Sequence, residues 1–241
     1  MRLEEAAVEL PRVEDRCADP DWLAGEGQDE RRAILAWQRG QMLTQGGQLK
    51  EAVQLLEQTA RSVPDDAERL RELIGEAMDA LAGKLLWPED ASTAQYSPQA
   101  ERLLEQVVVW LPQQQNGWYR LGVSKKQSGK LSEAIAAYEQ AIALDPKSAV
   151  AFVALAAAYR RAGDEAAYQR QVAVARPLVA SLDEYNRACF AAICDEVEEA
   201  LALLAQAIAK APHYRILGQR DADFDFIRDD PRFQALVGGT Q

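Results

Sequence analysis

The sequence predicts an all-α protein of the α-solenoid class, in which antiparallel helix pairs stack in a row. The first observation is a recurring spacing, in which an alanine inside a predicted helix is followed 12 residues later by a proline that ends it. The pairs are Ala52 and Pro64, Ala100 and Pro112, Ala134 and Pro146, and Ala200 and Pro212. The second observation is an apolar stripe at helical spacing between each alanine and its proline. Because a single helix pair cannot bury both of its faces, such pairs must stack on one another.

The stretch QNGWYRLGVSKKQSGKLSEAIAAYEQAIALDPKS, residues 115–148, carries the most specific motif. It fits the pattern W-x2-L-G…A-x3-F…P at Trp118, Leu121, Gly122, Ala134 and Pro146. Tyr138 takes the aromatic position, and Lys125 replaces the usual tyrosine. The stretch therefore resembles a tetratricopeptide repeat, and two of the four alanines are separated by the period of about 34 residues that is typical of this family. The resemblance implies a right-handed superhelix of antiparallel helix pairs.

The residue types of this stretch have physical explanations. Gly129 suits a tight turn between two helices, since it has no Cβ to restrict the backbone. Gly122 and Ala134 are small, which predicts that the two helices of the pair cross closely there. Asp145 and Pro146 are expected to end one helix and start the next, because proline is tolerated in the first turn of a helix but not inside it.

Five repeat units are predicted between residues 33 and 214. They span 33–66, 67–114, 115–148, 149–180 and 181–214, and the second contains an insertion near residues 85–97. The fourth is degenerate, with Tyr168 where the small residue belongs, and the fifth has Asp195 where a turn glycine is usual. Residues 1–32 are expected to form a short helix and an acidic linker, with Trp22 packed on the first unit.

Residues 215–241 are predicted to be a C-terminal capping helix segment. They resemble the closing segment of tetratricopeptide arrays, in which a final helix covers the apolar end of the last pair. Phe224, Ile227, Phe233 and Leu236 would supply its buried side. Asp230 before Pro231 fits a helix N-cap followed by proline at the first helical position.

Composition and charge exclude several classes of partner. The 241 residues carry a formal net charge of -11, which disfavours binding to nucleic acid or to acidic membranes. No apolar run is long enough for a membrane span, and the acidic N-terminus does not resemble a secretory signal. Three unevenly spaced cysteines fit a reducing compartment. These features predict a cytoplasmic protein.

The sequence offers no constellation that is typical of an enzyme, a metal site or a cofactor site. His213 is the only histidine, Cys189 and Cys194 lack the spacing of zinc ligands, and no phosphate-binding loop occurs. Asp221, Asp223 and Asp225 alternate like the start of an EF-hand loop, but the required glycine and glutamate are missing. We therefore expect neither catalysis, nor a cofactor, nor a bound metal.

The family resemblance implies a binding groove, lined by the first helix of each unit on the concave side. Twelve residues are predicted to line it: Trp37, Gln41, Arg71, Tyr119, Arg120, Val123, Lys126, Val153, Arg160, Arg161, Tyr185 and Asn186. Four of them, at 120, 126, 160 and 161, are cations in an acidic protein. Arginine holds carboxylates bidentately, so this cluster predicts a partner with an acidic segment or a C-terminal carboxylate. Alternatively, these side chains are solvated or paired with local acids such as Glu165.

The leading hypothesis is a non-catalytic adaptor that binds a protein or peptide segment in this groove. A second hypothesis is a self-associating structural element, motivated by Trp87 and Trp110. A third is a regulator that responds to a small molecule bound in the groove. The insertion is either a further contact surface or an extension of the preceding helix that packs on its neighbour through Trp87.

Overall fold

The computed structural model describes residues 28–87 and 97–238, and these residues form helices and connecting turns without a strand. The α-helices are α1 (Gln28–Gln45), α2 (Leu49–Ala60), α3 (Glu68–Leu86), α4 (Pro98–Trp110), α5 (Gln115–Gln127), α6 (Leu131–Leu144), α7 (Ala149–Ala162), α8 (Glu165–Ala175), α9 (Glu184–Ile193), α10 (Val197–Lys210), α11 (His213–Arg220) and α12 (Pro231–Gly238). Two 3-10 turns lie at Val179–Ser181 and Ala222–Phe224. The predicted all-α class is confirmed.

The chain divides into two compact units, residues 1–81 and 82–241. In the first unit, α1 and α2 pack against each other, and Leu56 of α2 is fully buried. A Cβ at Gly40 of α1 would come 2.8 Å from Cδ2 of Leu56. The absence of a side chain at residue 40 therefore allows the two helices to approach closely. α1 begins at Gln28, before the predicted start of the first repeat at residue 33.

The second unit is a row of antiparallel helix pairs. α5 packs on α6, α7 on α8 and α9 on α10, and the first helices of successive pairs also touch, α5 with α7 and α7 with α9. Ala134, Tyr138 and Ala141 on α6 are fully buried between neighbours. This arrangement is the α-solenoid that the alanine and proline spacing predicts, and it aligns α5, α7 and α9 side by side.

The turns between paired helices use the left-handed backbone region. Gly129 closes the α5–α6 turn at a φ of 77°, a value that is strained for residues with a Cβ. The corresponding turn between α9 and α10 has Asp195 at a φ of 59°. Aspartate tolerates this region better than most residues with a side chain, and its carboxylate pairs with Arg160 at 2.6 Å.

The closing segment, residues 221–238, covers the end of the α9–α10 pair. Phe224, Ile227 and Phe233 are buried against this pair, and Leu236 is partly buried there. Asp230 accepts a hydrogen bond from the backbone N–H of Arg232 at 2.8 Å, and α12 starts at Pro231. The predicted apolar side and the predicted N-cap are therefore confirmed.

A buried ion-pair network ties α4 to the α5–α6 pair. Lys125 of α5 contacts Glu101 at 3.0 Å, Glu105 at 2.5 Å and Glu133 at 2.9 Å, and both Lys125 and Glu101 are buried. Desolvation lowers the pKa of Lys125, but hydrogen bonds to the three glutamates outweigh it and raise that pKa. The lysine at the usual tyrosine position is thus a packing and pairing residue.

Several predictions concern residues outside the part that the structure describes. They include the helix near the N-terminus, Trp22, Cys17 and most of the insertion, residues 88–96. Within residues 28–87 and 97–238, none of the helices combines the length and the apolar character that a bilayer crossing requires.

Candidate functional site

A cavity of about 680 Å³ opens on the aligned first helices of the second unit. Its walls come from Leu86 and Trp87 at the end of α3, from α5, α7, α9 and α11, and from the residues next to α9 and α11. The lining includes Trp87, Tyr119, Val123, Lys126, Val150, Val153, Tyr185, Asn186, Cys189, Tyr214, Asp221 and Asp223. The volume lies within the range of about 300–1,000 Å³ that is common for ligand sites.

Aromatic rings form much of the wall. Trp87 stacks on Tyr119 with ring centroids 6.5 Å apart, and Tyr185 stacks on Tyr214 at 4.7 Å. Tyr138 lies behind Tyr119, at 6.1 Å between ring centroids. Burial raises the pKa of Tyr119 and of Tyr185, so both hydroxyls stay protonated at neutral pH. This part of the wall is therefore aromatic and uncharged, and its rings contact one another.

The polar part of the cavity combines α5 with the closing segment. The Lys126 ammonium donates to a carboxylate oxygen of Asp223 at 2.7 Å, and both side chains are almost fully buried. Desolvation alone would lower the pKa of Lys126, but the charge of Asp223 reverses this effect and raises the pKa. Lys126 thus remains charged, and its charge is neutralised by Asp223.

Asp221 is the second carboxylate of this region. Its Oδ2 accepts from the Tyr185 hydroxyl at 3.1 Å and from the Cys189 thiol at 3.9 Å, and its Oδ1 accepts the N–H of Asp223 at 3.0 Å. Desolvation, followed by the charge of Asp223, raises the pKa of Asp221. Within the described residues, 28–87 and 97–238, no cation forms an ion pair with this carboxylate.

Three side chains here have the chemistry of cation ligands. One ligand atom each from Cys189, Asp221 and Asp223 lie within 4.8 Å of one another. The ammonium of Lys126 already supplies a positive charge to Asp223, and burial raises the pKa of the Cys189 thiol. A buried thiol that keeps its proton is a poor metal ligand, so this group does not fit a resident metal ion.

The cavity brings together half of the predicted groove residues. Those that line it are Tyr119, Val123, Lys126, Val153, Tyr185 and Asn186. They lie on α5, α7 and α9, the first helices of their pairs. Trp37, Gln41 and Arg71 belong to the first compact unit, where Arg71 forms an ion pair with the exposed Asp65.

The expectation of an open basic cluster is wrong. Arg160 pairs with Asp195 at 2.6 Å and also donates to the carbonyl of Ile193. Arg161 pairs with Asp225 at 2.8 Å and donates to the carbonyl of Ala222. Neither arginine lines the cavity. Both positive charges are therefore paired within the chain, that of Arg160 with the α9–α10 turn and that of Arg161 with the acidic closing segment.

Phe226 and Gly83 are further neighbours of the predicted cations. The centroid of the Phe226 ring lies 3.9 Å from the Arg160 guanidinium and 5.5 Å from that of Arg161, so the ring lies next to both cations. The guanidinium of Arg120 lies against Gly83, where an added Cβ would stand 3.4 Å from Arg120 Cζ. None of these three cations lines the cavity.

Sequence reasoning missed the contribution of the C-terminal part to the cavity. Tyr214, Ile216, Leu217, Asp221 and Asp223 all line it, although they come at or after the end of the last predicted repeat. The alternating aspartates were a usable signal, since an acidic stretch complements the cations of α5 and α7. That pairing joins residues 97 positions apart, from Lys126 to Asp223, and spacing alone does not reveal it.

Residues 122–163 match the family model described as "TPR repeat". The matched range starts within α5 and ends at the Gly163 turn after α7. The resemblance of this chain to the tetratricopeptide repeat is therefore confirmed. A comparison with curated proteins gives no match.

Among solved structures, the chain is similar to TTC0263, a thermophilic TPR protein in Thermus thermophilus. The likeness has 18% sequence identity and a TM-score of 0.48, and it covers 86% of this chain and 100% of that one. The chain is also similar to a mutant of MamA, with 23% identity and a TM-score of 0.38, over 61% of this chain and 96% of that one. Similarities this low carry no information on function. The function class that the repeat itself supports is a protein-interaction scaffold.

Proposed function

We propose that this protein is a non-catalytic scaffold that holds a segment of a protein partner in the cavity of its second unit. The observation that carries this proposal is the cavity itself, built where the first helices of three successive pairs lie side by side. Its position corresponds to the face that tetratricopeptide repeats use for binding. The partner joins the scaffold by contact alone, without a chemical step.

Shape and lining support a peptide segment as the ligand. The walls combine aromatic rings and the aliphatic side chains of Val123, Val150 and Val153 with hydrogen-bonding groups such as those of Asn186 and Asp221. Interfaces gain most of their affinity from such aromatic anchors around a buried centre. Asn186, partly exposed on α9, donates its amide N–H groups to Asp183, and its side-chain carbonyl oxygen can accept a hydrogen bond from the backbone of an extended segment.

The reactive side chains of the cavity support binding over catalysis. Burial raises the pKa of the Cys189 thiol, which lowers its thiolate fraction and its nucleophilicity. His213 is exposed and lies against Tyr214, with ring centroids 4.4 Å apart. A nucleophile next to a base is the usual arrangement for covalent catalysis, and within the described residues no hydrogen bond links Cys189 to His213.

The proposal is tested with a phage-displayed library of random short peptides selected on the immobilised full-length protein. Recovered peptides are synthesised with a fluorophore, and their affinities are measured by fluorescence polarisation. Val150→Trp fills the cavity from a partly exposed position on α7. Its matched control is Val174→Trp on α8, where the side chain is 44% exposed and does not line the cavity.

We expect Val150→Trp to weaken binding of the recovered peptides by about tenfold or more, since a filled cavity excludes the ligand. Val174→Trp should bind them like the wild type. Equal binding by both variants would place the peptides elsewhere and overturn the proposal. Recovery of no peptide at all would also overturn it.

A further inference from the structure

The charges around the cavity do not favour the acidic partner that the sequence predicts. Lys126 is the buried cation of the lining, and Asp223 neutralises it at 2.7 Å. The two arginines at the end of α7 are engaged by Asp195 and by Asp225 of the closing segment. An incoming carboxylate would therefore compete with intramolecular acids that are already in place.

Asp221 is the carboxylate that remains. Its contacts are the Tyr185 hydroxyl, the Cys189 thiol and one backbone N–H, and all three donors are uncharged. The side chain is partly exposed and lies on the cavity lining. Desolvation and then the charge of Asp223 raise the pKa of Asp221, whereas the nearby charge of Lys126 acts in the opposite direction. Lys126 makes its direct ion pair with Asp223, so a cation that entered the cavity could form a direct ion pair with Asp221.

The wall near this carboxylate suits the rest of a cationic side chain. The stacked rings of Tyr185 and Tyr214 are 4.7 Å apart, and the hydroxyl of Tyr185 contacts Asp221 directly. Tyrosine faces attract an ammonium or guanidinium group, and apolar walls accommodate the methylene stem of lysine or arginine. Arg220, the other cation on the lining, is exposed and has interactions of its own.

We propose that the cavity accepts a lysine or arginine side chain of the bound segment, whose charged group pairs with Asp221 against the Tyr185–Tyr214 wall. This inference rests on the proposed function and specifies its partner. The recognised segment carries a positive charge flanked by apolar residues, and it does not present an acidic tail. Charge complementarity is the basis of the choice.

The test is a cycle of two changes, one on each side of the contact. On the protein, Asp221→Asn removes the charge while keeping the size of the side chain and the acceptor for the N–H of Asp223. On a recovered peptide, norleucine replaces lysine and keeps the stem without the ammonium. The matched control is Asp229→Asn, an exposed aspartate of the same segment that does not line the cavity.

We expect the selected peptides to be enriched in lysine and arginine. Asp221→Asn should weaken binding of the lysine peptide by about tenfold, which is the usual effect of losing a charged hydrogen bond. The norleucine peptide should bind the wild type and Asp221→Asn equally weakly, and Asp229→Asn should change nothing. A circular-dichroism melt of each variant verifies folding, and the peptide change needs no altered protein.

Two results would overturn the inference while leaving the proposed function intact. One is selection of peptides rich in aspartate and glutamate whose binding still depends on Val150. The other is a lysine peptide that loses nothing when its lysine becomes norleucine or when Asp221 becomes asparagine. If Val150→Trp binds the peptides with wild-type affinity, the proposed function itself is contradicted. The two failures are therefore distinguishable.

Discussion

Tyr138 of α6 packs its ring directly over the backbone of Gly122 on α5. A Cβ at residue 122 would stand 2.5 Å from Cδ1 of this ring, closer than real side chains come. Tyr138 is fully buried and also lies behind Tyr119 of the cavity wall. The close packing of α6 on α5 therefore positions Tyr138 behind Tyr119, in the aromatic wall of the cavity.

Gly122→Ala should destabilise the second unit. The added methyl group forces Tyr138 or the helix to move, and such overpacking costs about 1–3 kcal/mol. The measurement is the urea midpoint of unfolding.

The matched control is Gly83→Ala, a helical glycine whose Cβ would meet only Arg120 at ordinary van der Waals distances. It should be neutral or gain about 1 kcal/mol of helix propensity. Equal midpoints for the two variants would contradict the close packing of Tyr138 on Gly122.

Lys125→Met should lower the free energy of unfolding by about 1–3 kcal/mol, because it removes one of the two cations that pair with the buried Glu101 and leaves Lys130 as the other. Thermal melts provide the measurement. The double variant Lys125→Met and Glu101→Leu should recover most of the loss, since both charges are then removed together. If the double variant is as unstable as the sum of the single ones, the two residues do not act as a pair.

Acid should remove the stabilising contribution of Asp230. Hydrogen bonds from Arg232 lower the pKa of Asp230 from 3.8 to about 2. The folded state therefore binds this proton less tightly than the unfolded state, and the contribution is present above pH 3.8 and disappears as the pH falls toward 2.

The measurement for Asp230 is the melting temperature as a function of pH. Asp230→Asn keeps a capping acceptor without the charge, so wild type and variant should differ at about pH 5 and converge at about pH 2. Asp229→Asn, an exposed neighbour, serves as the control and should follow the wild type throughout. A constant difference between wild type and Asp230→Asn would show that the charge of Asp230 is not involved.

Arg161→Gln should loosen the closing segment without unfolding the helix pairs. The guanidinium holds Asp225 at 2.8 Å and the carbonyl of Ala222, and the Phe226 ring lies near both this arginine and Arg160. Native-state hydrogen exchange of the amides of residues 224–227 should accelerate by about tenfold, since local opening becomes easier.

The control for Arg161→Gln is Arg170→Gln, an exposed arginine on α8. It should leave exchange in the closing segment unchanged. Equal acceleration in both variants would mean that general destabilisation, and not the loss of this anchor, opens the segment.

Local sequence signals predicted the fold because each depends on neighbours within one helix pair. Gly129 adopts the left-handed turn conformation, and Ala134 is fully buried, as their residue types indicate. Phe224 and Phe233 were recognisable as the buried side of a capping segment. In each case a single physical requirement, for backbone freedom or for apolar burial, selects the residue type.

The site was harder to predict because its charges depend on contacts between distant parts of the chain. Lys126, Arg160 and Arg161 lie on the expected helices, but whether they are free depends on Asp223, Asp195 and Asp225. A repeat pattern places side chains on a face, whereas it does not describe what a nonrepetitive C-terminal segment places on that face. Charge reversal of the two arginines would therefore disturb folding as well as binding.

The ion pair between Lys126 and Asp223 also limits how this solenoid can be shortened. In an ideal array each repeat touches only its neighbours, and units can be trimmed from one end with additive losses. Here, removal of residues 221–241 would leave the buried ammonium of Lys126, on α5, without its counterion. A truncation at the C-terminus therefore affects α5, in the middle of the row, as well as the last helix pair.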